Sequence, residues 1–386
     1  MRSCVLSYLL LLGCAISIFG QTNPGDDVHA RKARVIQNWL QRFNAIEVFR
    51  GNIGGPDGPH LQLIRDGRRL TSCEVCCEVA NLIAALRRVL ASAPSGPISG
   101  ERDVETPLIV NVHGIQVPVR LLLGDFKSPL VVGGGAGEIV IVDAVEGSDA
   151  DATAGPGGIA IAVAGGGEIN DSKSRKHGKG GSANAIAGAF GQAIACSGRG
   201  GDGDSFAEPG RDGGDSGDAS ATVRADDKTK SAGDGEAYAD SGDGGTGGNN
   251  TGSPDNPAGG QAGDGGKAGS ANATVENGAA GSVAEAGGGG GGNGGNSGQK
   301  NMGGHAKAGG DARAEGSRDN RANGGQGGGA GLNAPAPPSG VNPNPNGGKA
   351  EVKGGGTATP GEKTDFGKQR PPCCELDPKL IEALLK

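Results

Sequence analysis

GDGGKAGSANATVENG (Gly263–Gly278) holds two different periods side by side. Gly263, Gly266 and Gly269 recur at every third residue, which suits an extended threefold polyglycine helix. Ala271 and Ala273 then alternate with Asn272 and Thr274 at the two-residue period of a strand. Both signatures recur along the chain. Gly292, Gly295 and Gly298 repeat the first; GGIAIAVAGG, GGSANAIAG, DASATVRAD, GEAYADSGDGG, GSVAEAGGG, GGHAKAGG and GGDARAEG repeat the second. As strands, these blocks line one face with alanine and the other with Ile, Asn, Thr, Tyr, Lys, Arg and Glu. The local sequence supports either conformation and selects neither.

Energetics decide what to expect. Burying an alanine methyl gives under ~1 kcal/mol, whereas ordering a residue costs ~1–2 kcal/mol and glycine is the most expensive. A single block therefore cannot fold alone; blocks stacked side by side gain backbone hydrogen bonds, as in repeat architectures. The blocks are irregularly spaced, which argues against a regular solenoid. With 80 glycines and 3% aromatic residues, any dense core must be local. The expected fold class is thus a small α+β N-terminal domain, a long glycine-rich region that is mostly irregular with short alternating-Ala strands, and a short C-terminal helix.

The flanks carry clearer signals. MRSCVLSYLLLLGCAISIFG reads as a signal peptide over residues 1–20, and no later apolar run is long enough to span a bilayer. An N-terminal domain is expected over 21–146. In it, Val35, Ile36, Trp39, Leu40, Phe43, Ile46 and Phe49 form the stripe of a first helix behind Asp26 and Asp27. Asp66-Gly67 suits a tight hairpin. A second helix over about Cys73–Ala91 buries Cys76, Val79, Ile83, Leu86 and Leu90. PLIVNVHGIQVPVRLLL forms a hairpin around His113-Gly114, with Pro118 pointing to an edge, and SPLVVGGGAGEIVIVDAV adds a further pair of strands. The glycine-rich region covers 147–332. An extended Pro, Asn and Gly linker covers 333–372, and a Cys-Cys helix ends the chain at 373–386.

CCEVANLIAAL (Cys76–Leu86) and CCELDPKLIEAL (Cys373–Leu384) share a cysteine-led helix start. Without the signal segment, Cys73, Cys76, Cys77, Cys196, Cys373 and Cys374 remain, an even set suited to disulfides in an oxidising compartment. Adjacent cysteines rarely bond each other, so Cys373 and Cys374 should bond within the Cys73, Cys76 and Cys77 cluster, inside one chain or, as preferred here, between neighbouring chains.

Other motifs are weaker. GDSGD around Ser216 approaches a serine-protease nucleophile motif but has no histidine motif to serve it. GGDGDSFAE from Gly200 approaches a calcium nonapeptide with Ser205 where Asp is required, which leaves only loose calcium association through scattered Asp. VVGGGAGEIVIVDA lacks dinucleotide-loop spacing. The histidines have no ligand spacing. Thus no catalytic, metal or cofactor-binding residue is expected, and no cofactor. Asn170, Asn249 and Asn272 head N-glycosylation sequons, and DSGD and DSGDG (Asp240–Gly244) resemble glycosaminoglycan-attachment sites. The excess of 43 acidic over 35 basic side chains after signal removal disfavours nucleic acid as a partner.

Residues 147–332, with GGx and alternating-alanine blocks between short non-repetitive ends, resemble secreted glycine-rich structural proteins of the silk-like, cell-wall and shell or cuticle matrix class. The resemblance implies a secreted, extracellular, non-enzymatic protein with a flexible glycine-rich filler, cysteine-bearing ends for assembly, and partners that are further copies or other matrix components. The rival expectation is a protein whose ordered glycine-rich sheet binds a flat lattice such as ice, mineral or polysaccharide, and a proteoglycan-like core is a further one.

Overall fold

In a computed structural model of the chain, residues 24–42, 46–48, 59–61, 64–65, 68–92, 108–112, 115–124, 130–145, 147–167, 178–203, 210–228, 230–250, 261–279, 281–299, 303–316, 319–330, 347–362 and 374–386 are described. Helix α1 is Pro24–Gln41, and two short antiparallel pairs follow, β1 (Ile46–Val48) with β2 (Pro59–Leu61) and β3 (Ile64–Arg65) with β4 (Arg68–Arg69). Helix α2 is Ser72–Ala91, β5 (Leu108–Val112) and β6 (Ile115–Leu123) form a hairpin, and α3 (Pro378–Leu384) ends the chain.

The described residues between β6 and α3 form a solenoid. One strand of each coil joins a seven-stranded parallel sheet: β7 (Leu130–Gly133), β9 (Ala150–Thr153), β11 (Ala183–Ala187), β13 (Ala219–Val223), β15 (Ala271–Val275), β17 (Ala312–Glu315) and β19 (Ala350–Lys353). The other joins a nine-stranded sheet that also holds β5 and β6: β8 (Ile139–Asp143), β10 (Ile159–Val163), β12 (Gln192–Cys196), β14 (Glu236–Asp240), β16 (Val283–Gly287), β18 (Asp319–Asn323) and β20 (Gly356–Thr359).

This corrects the expected fold class: the glycine-rich region is not irregular. Alanine explains the two sheets. Ala152, Ala185, Ala221, Ala273 and Ala314 face Ala162, Ala195, Ala239 and Ala286 across one seam, and all are inaccessible to solvent. A methyl on every inward position lets the sheets approach closely, and stacking supplies the backbone hydrogen bonds that no single block could. The irregular spacing, read as evidence against a solenoid, has a simple cause. Consecutive blocks belong to alternate sheets, so the step from Ala183 to Gln192 crosses a tight turn, whereas the step from Gln192 to Ala219 includes a glycine excursion.

Those excursions are the threefold segments. They pack as two layers that continue the two sheets. Within a layer, Gly244 N–H donates to the Gly290 carbonyl at 2.9 Å and Gly247 N–H to that of Asn293 at 2.8 Å. Between layers, Gly245 donates to Gly214 at 2.9 Å, Gly266 to Gly245 at 2.8 Å and Gly292 to Gly266 at 2.9 Å. Both periods of the opening stretch are therefore real and occupy successive parts of one coil.

The remaining core lies between the nine-stranded sheet and the helices. Val35, Ile36, Trp39 and Leu40 of α1 and Val75, Val79, Leu82, Leu86 and Val89 of α2 pack with Leu380, Ile381 and Leu384 of α3 over Ile141, Ile161, Ile194 and Tyr238. Helix α1 stops at Gln41, so Ile46 lies in β1 and not on the helical stripe; Phe43 and Phe49 lie outside the described residues. Leu90, expected inside, is exposed. Helix α2 begins with a capping box, in which Thr71 and Glu74 satisfy each other's backbone N–H groups. The Arg68 guanidinium and these bonds hold the Glu74 carboxyl down at about 2. The hairpin of β5 and β6 forms as expected, but the arm carrying Pro118 is not the edge: β5 is the edge, and β6 lies between β5 and β8, with Pro118 one residue before its pairing with β8 begins. By contrast β7 and β8, expected as a pair, enter different sheets. The nine-stranded sheet runs without a break across position 146, because β8 pairs with both β6 and β10. Strands β19 and β20 lie within the stretch expected as linker.

Disulfides tie the layers together. Cys76 of α2 is bonded to Cys196 of β12, and Cys77 to Cys374 just before α3. Cys73 is also disulfide-bonded, and Cys373 lies outside the described residues. The two cysteine-led helices thus do pack and lock, but Cys374 does so within one chain, not between chains. Asn38 Nδ2 donates to the Leu384 carbonyl at 3.1 Å and Arg88 pairs with Glu382 at 2.6 Å, which seats α3 further.

Candidate functional site

The helices cover the outer face of the nine-stranded sheet as far as β16, beyond which Asp319 and Arg321 of β18 and all of β20 are exposed, and the alanine seam covers the inner face. The seven-stranded sheet has its inner face on that seam and presents its outer face to solvent. Strand alternation and the parallel register order that outer face into two straight files. One runs Asp151, Asn184, Ser220, Asn272, Arg313, Glu351; the other runs Thr153, Ile186, Thr222, Thr274, Glu315, Lys353. All are half-buried or exposed.

Chemistry varies along the files. The three central coils show only short uncharged groups: Asn184, Ile186, Ser220, Thr222, Asn272 and Thr274. Charge gathers in the last two coils, where Arg313 pairs with Glu315 at 2.9 Å and Lys353 approaches the same carboxylate at 3.7 Å. No aromatic residue stands in either file, and Trp39 and Tyr238 are buried elsewhere.

A side-chain ladder stiffens the neighbouring coil segments. Asp212 and Asp215 accept from the backbone N–H groups of Asp264 and Lys267, Asp218 from that of Ser270, and Asp264 from that of His305, each at 2.8 Å. In the other layer Asp243, Asn249 and Asn293 accept in the same way from Gly290, Asn296 and Gly329. The three-residue spacing of Asp212, Asp215 and Asp218 was the readable signal for this ladder, and composition masked it. Asp202, in the calcium-like stretch, accepts from both the backbone and hydroxyl of Thr246 at 2.8 Å.

The other sequence-marked residues fall in ordinary structural roles. Ser216 is buried in the glycine bundle. Ser241 is buried as well, donating to the Gly269 carbonyl and accepting from Gly289 N–H, both at 2.6 Å, so neither Ser-Gly acidic motif is accessible in the folded chain. Asn249 serves the ladder, Asn272 stands exposed on the open face, and Asn170 lies outside the described residues.

A second polar group, unforeseen in the sequence, lies where the N-terminus of α2 meets the nine-stranded sheet. Arg69 Nη1 donates to Glu236 at 3.1 Å, Tyr238 Oη to the same carboxylate at 3.2 Å, and the Ser72 backbone N–H to Glu285 at 3.1 Å. Burial pushes the carboxyls of Glu236 and Glu285 up to about 7, outweighing Arg69 at the first and the Ser72 N–H at the second. Burial likewise pushes the Tyr238 phenol well up. All three side chains are shut off from solvent, so this cluster anchors the helix to the sheet and offers no access to a substrate.

No protein-family model matches the chain, and no curated protein matches it. Among solved structures, the springtail antifreeze protein from Granisotoma rainieri, described as a nine polyproline type II helical bundle whose crystal waters match the ice lattice, aligns at 20% identity with 50% of this chain and 94% of its own. Its TM-score is 0.14, too low for the likeness to bear on fold or function.

Proposed function

We propose that this chain is a secreted, non-enzymatic protein that binds a flat lattice through the outer face of its seven-stranded sheet, and that the lattice is ice. The observation that carries the reading is the pair of in-register files over the central coils. Strand spacing sets the repeat along a file at ~4.8 Å and strand pleat separates the files by ~6.7 Å. A solenoid backbone holds this array rigid before binding, so little ordering cost remains to be met on a surface.

The chemistry selects among lattices. A mineral face calls for charge in rank, and here Asp151 stands alone at one end while the charges at the other end neutralise one another. A polysaccharide face calls for aromatic platforms, absent from both files. Short hydroxyls, amides and one isoleucine suit an ordered water layer. The disulfides fit an oxidising, extracytoplasmic setting. An extensible-filler role rested on a loosely ordered middle; with the middle folded, lattice binding is the reading the geometry supports best.

The test compares wild type with Thr222→Lys/Thr274→Lys in ice-recrystallisation and thermal-hysteresis assays, alongside pull-down on calcite and chitin. Loss of ice activity at unchanged circular dichroism is the expected outcome. Full activity in the variant would remove the face assignment, and wild-type binding to calcite or chitin in place of ice would remove the choice of lattice.

A further inference from the structure

The solenoid ends on two edge strands, β19 in one sheet and β20 in the other. All four residues of β20 are exposed, as are Glu351 and Lys353 of β19. We propose that this end is an interface for a second copy of the chain, joined about a two-fold axis by antiparallel pairing of β19 with β19 and β20 with β20.

The hydrogen-bond pattern fixes which groups are available. The carbonyls of Lys349 and Lys353 accept from Ala312 and Gly316, at 2.8 and 3.3 Å. In a parallel ladder both groups of alternate residues turn to one neighbour, so 349, 351 and 353 are committed to β17, and Val352 turns its N–H and C=O away from the molecule. On β20, Gly355 and Thr359 accept from Asn320 and Gly324, which leaves the N–H and C=O of Ala358 turned outward. An isologous contact can centre on a residue that pairs with itself through two reciprocal bonds, and Val352 and Ala358 both allow this.

Side chains then sort correctly. With Val352 opposite its own copy, Glu351 of one chain stands opposite Lys353 of the other, twice over, in the closer type of cross-strand pair. Glu351 has no ion-pair partner among the described residues, whereas Lys353 reaches Glu315 only at 3.7 Å. With Ala358 opposite its own copy, Thr357 meets Thr359, a favourable pairing on a sheet. Val352 belongs to the same seam as Ala314, and Ala358 is in register with buried Ala322, so the alanine core continues across the axis. A lysine on an exposed edge ordinarily repels other strands; here the edge supplies its own counter-charge. The two open faces would lie side by side, which extends the lattice-binding area without any bearing on the test of the dimer itself.

The test is analytical ultracentrifugation of the full chain over a concentration series, with Lys353→Glu, Glu351→Lys and Val352→Pro. Wild type should sediment as a dimer. Each charge variant alone opposes like charges and should be a monomer, and Val352→Pro, which loses an N–H that no bond among the described residues uses, should be one too. An equimolar mixture of Lys353→Glu and Glu351→Lys restores both opposite-charge pairs and should give a heterodimer. A wild type that is monomeric throughout, charge variants that dimerise like wild type, a mixture that stays monomeric, or open-ended growth beyond the dimer would each overturn the proposal.

Discussion

Gly266→Ala tests whether the two glycine layers are packed as tightly as the fold requires. Gly266 donates to the Gly245 carbonyl at 2.8 Å and accepts from Gly292 N–H at 2.9 Å, linking three coils. A Cβ there would lie 1.8 Å from the Gly214 oxygen and 2.5 Å from its carbonyl carbon, both backbone atoms that no rotamer change can move. Ordinary contact begins near 3.4 Å, so the segments must part by about 1.6 Å. That separation breaks both hydrogen bonds, at about 1 kcal/mol each, and overpacking adds about 1–3 kcal/mol. The sum is a loss of roughly 3–5 kcal/mol, and at about 2.1 cal/mol/K of unfolding entropy per residue it lowers Tm by about 4–7 °C. Gly133→Ala is the matched control, because nothing lies within 4 Å of its Cβ position. The assay is calorimetric unfolding of both variants beside wild type, with amide exchange at residues 266 and 292, the donors of the two bonds, as a local readout. A Gly266→Ala protein that melts with wild type and retains protection at those amides would refute the close-packed bundle.

The buried carboxyls predict a pH dependence with a definite sign. Glu236 and Glu285 are raised from 4.5 to about 7, so the folded chain holds protons that the unfolded chain releases; their stabilisation is complete below pH 4.5 and is lost as pH rises to about 7. Each group can forfeit about 3 kcal/mol over that window, and Glu285→Gln should flatten the urea midpoint against pH, whereas an unchanged slope would contradict the burial argument. Cys374→Ser releases α3 from α2 by opening a closure of 297 residues, for which chain-entropy treatment gives up to ~5 kcal/mol. Wild type should run as a monomer on non-reducing electrophoresis, and covalent multimers lost in the variant would restore the chain-to-chain linkage set aside above.

The sequence by itself determined the periodic parts of this protein. Alternating alanine marked the strands, threefold glycine marked the extended segments, Asp66-Gly67 and His113-Gly114 marked two hairpins, and the paired CCE stretches marked two helices that meet. Each of these is a local pattern, written within about ten residues. What the sequence withheld was partnership. Whether a glycine segment orders depends on neighbours such as Gly214, Gly245 and Gly292, which lie on other coils and supply the hydrogen bonds that outweigh its conformational entropy. The open face was equally hidden, because Asn184, Ser220 and Asn272 become one file only when the parallel register aligns three coils separated by glycine excursions of unequal length. The tertiary structure decided this through cooperativity: no block gains enough by folding alone, so order arises only when every coil has a neighbour to bond.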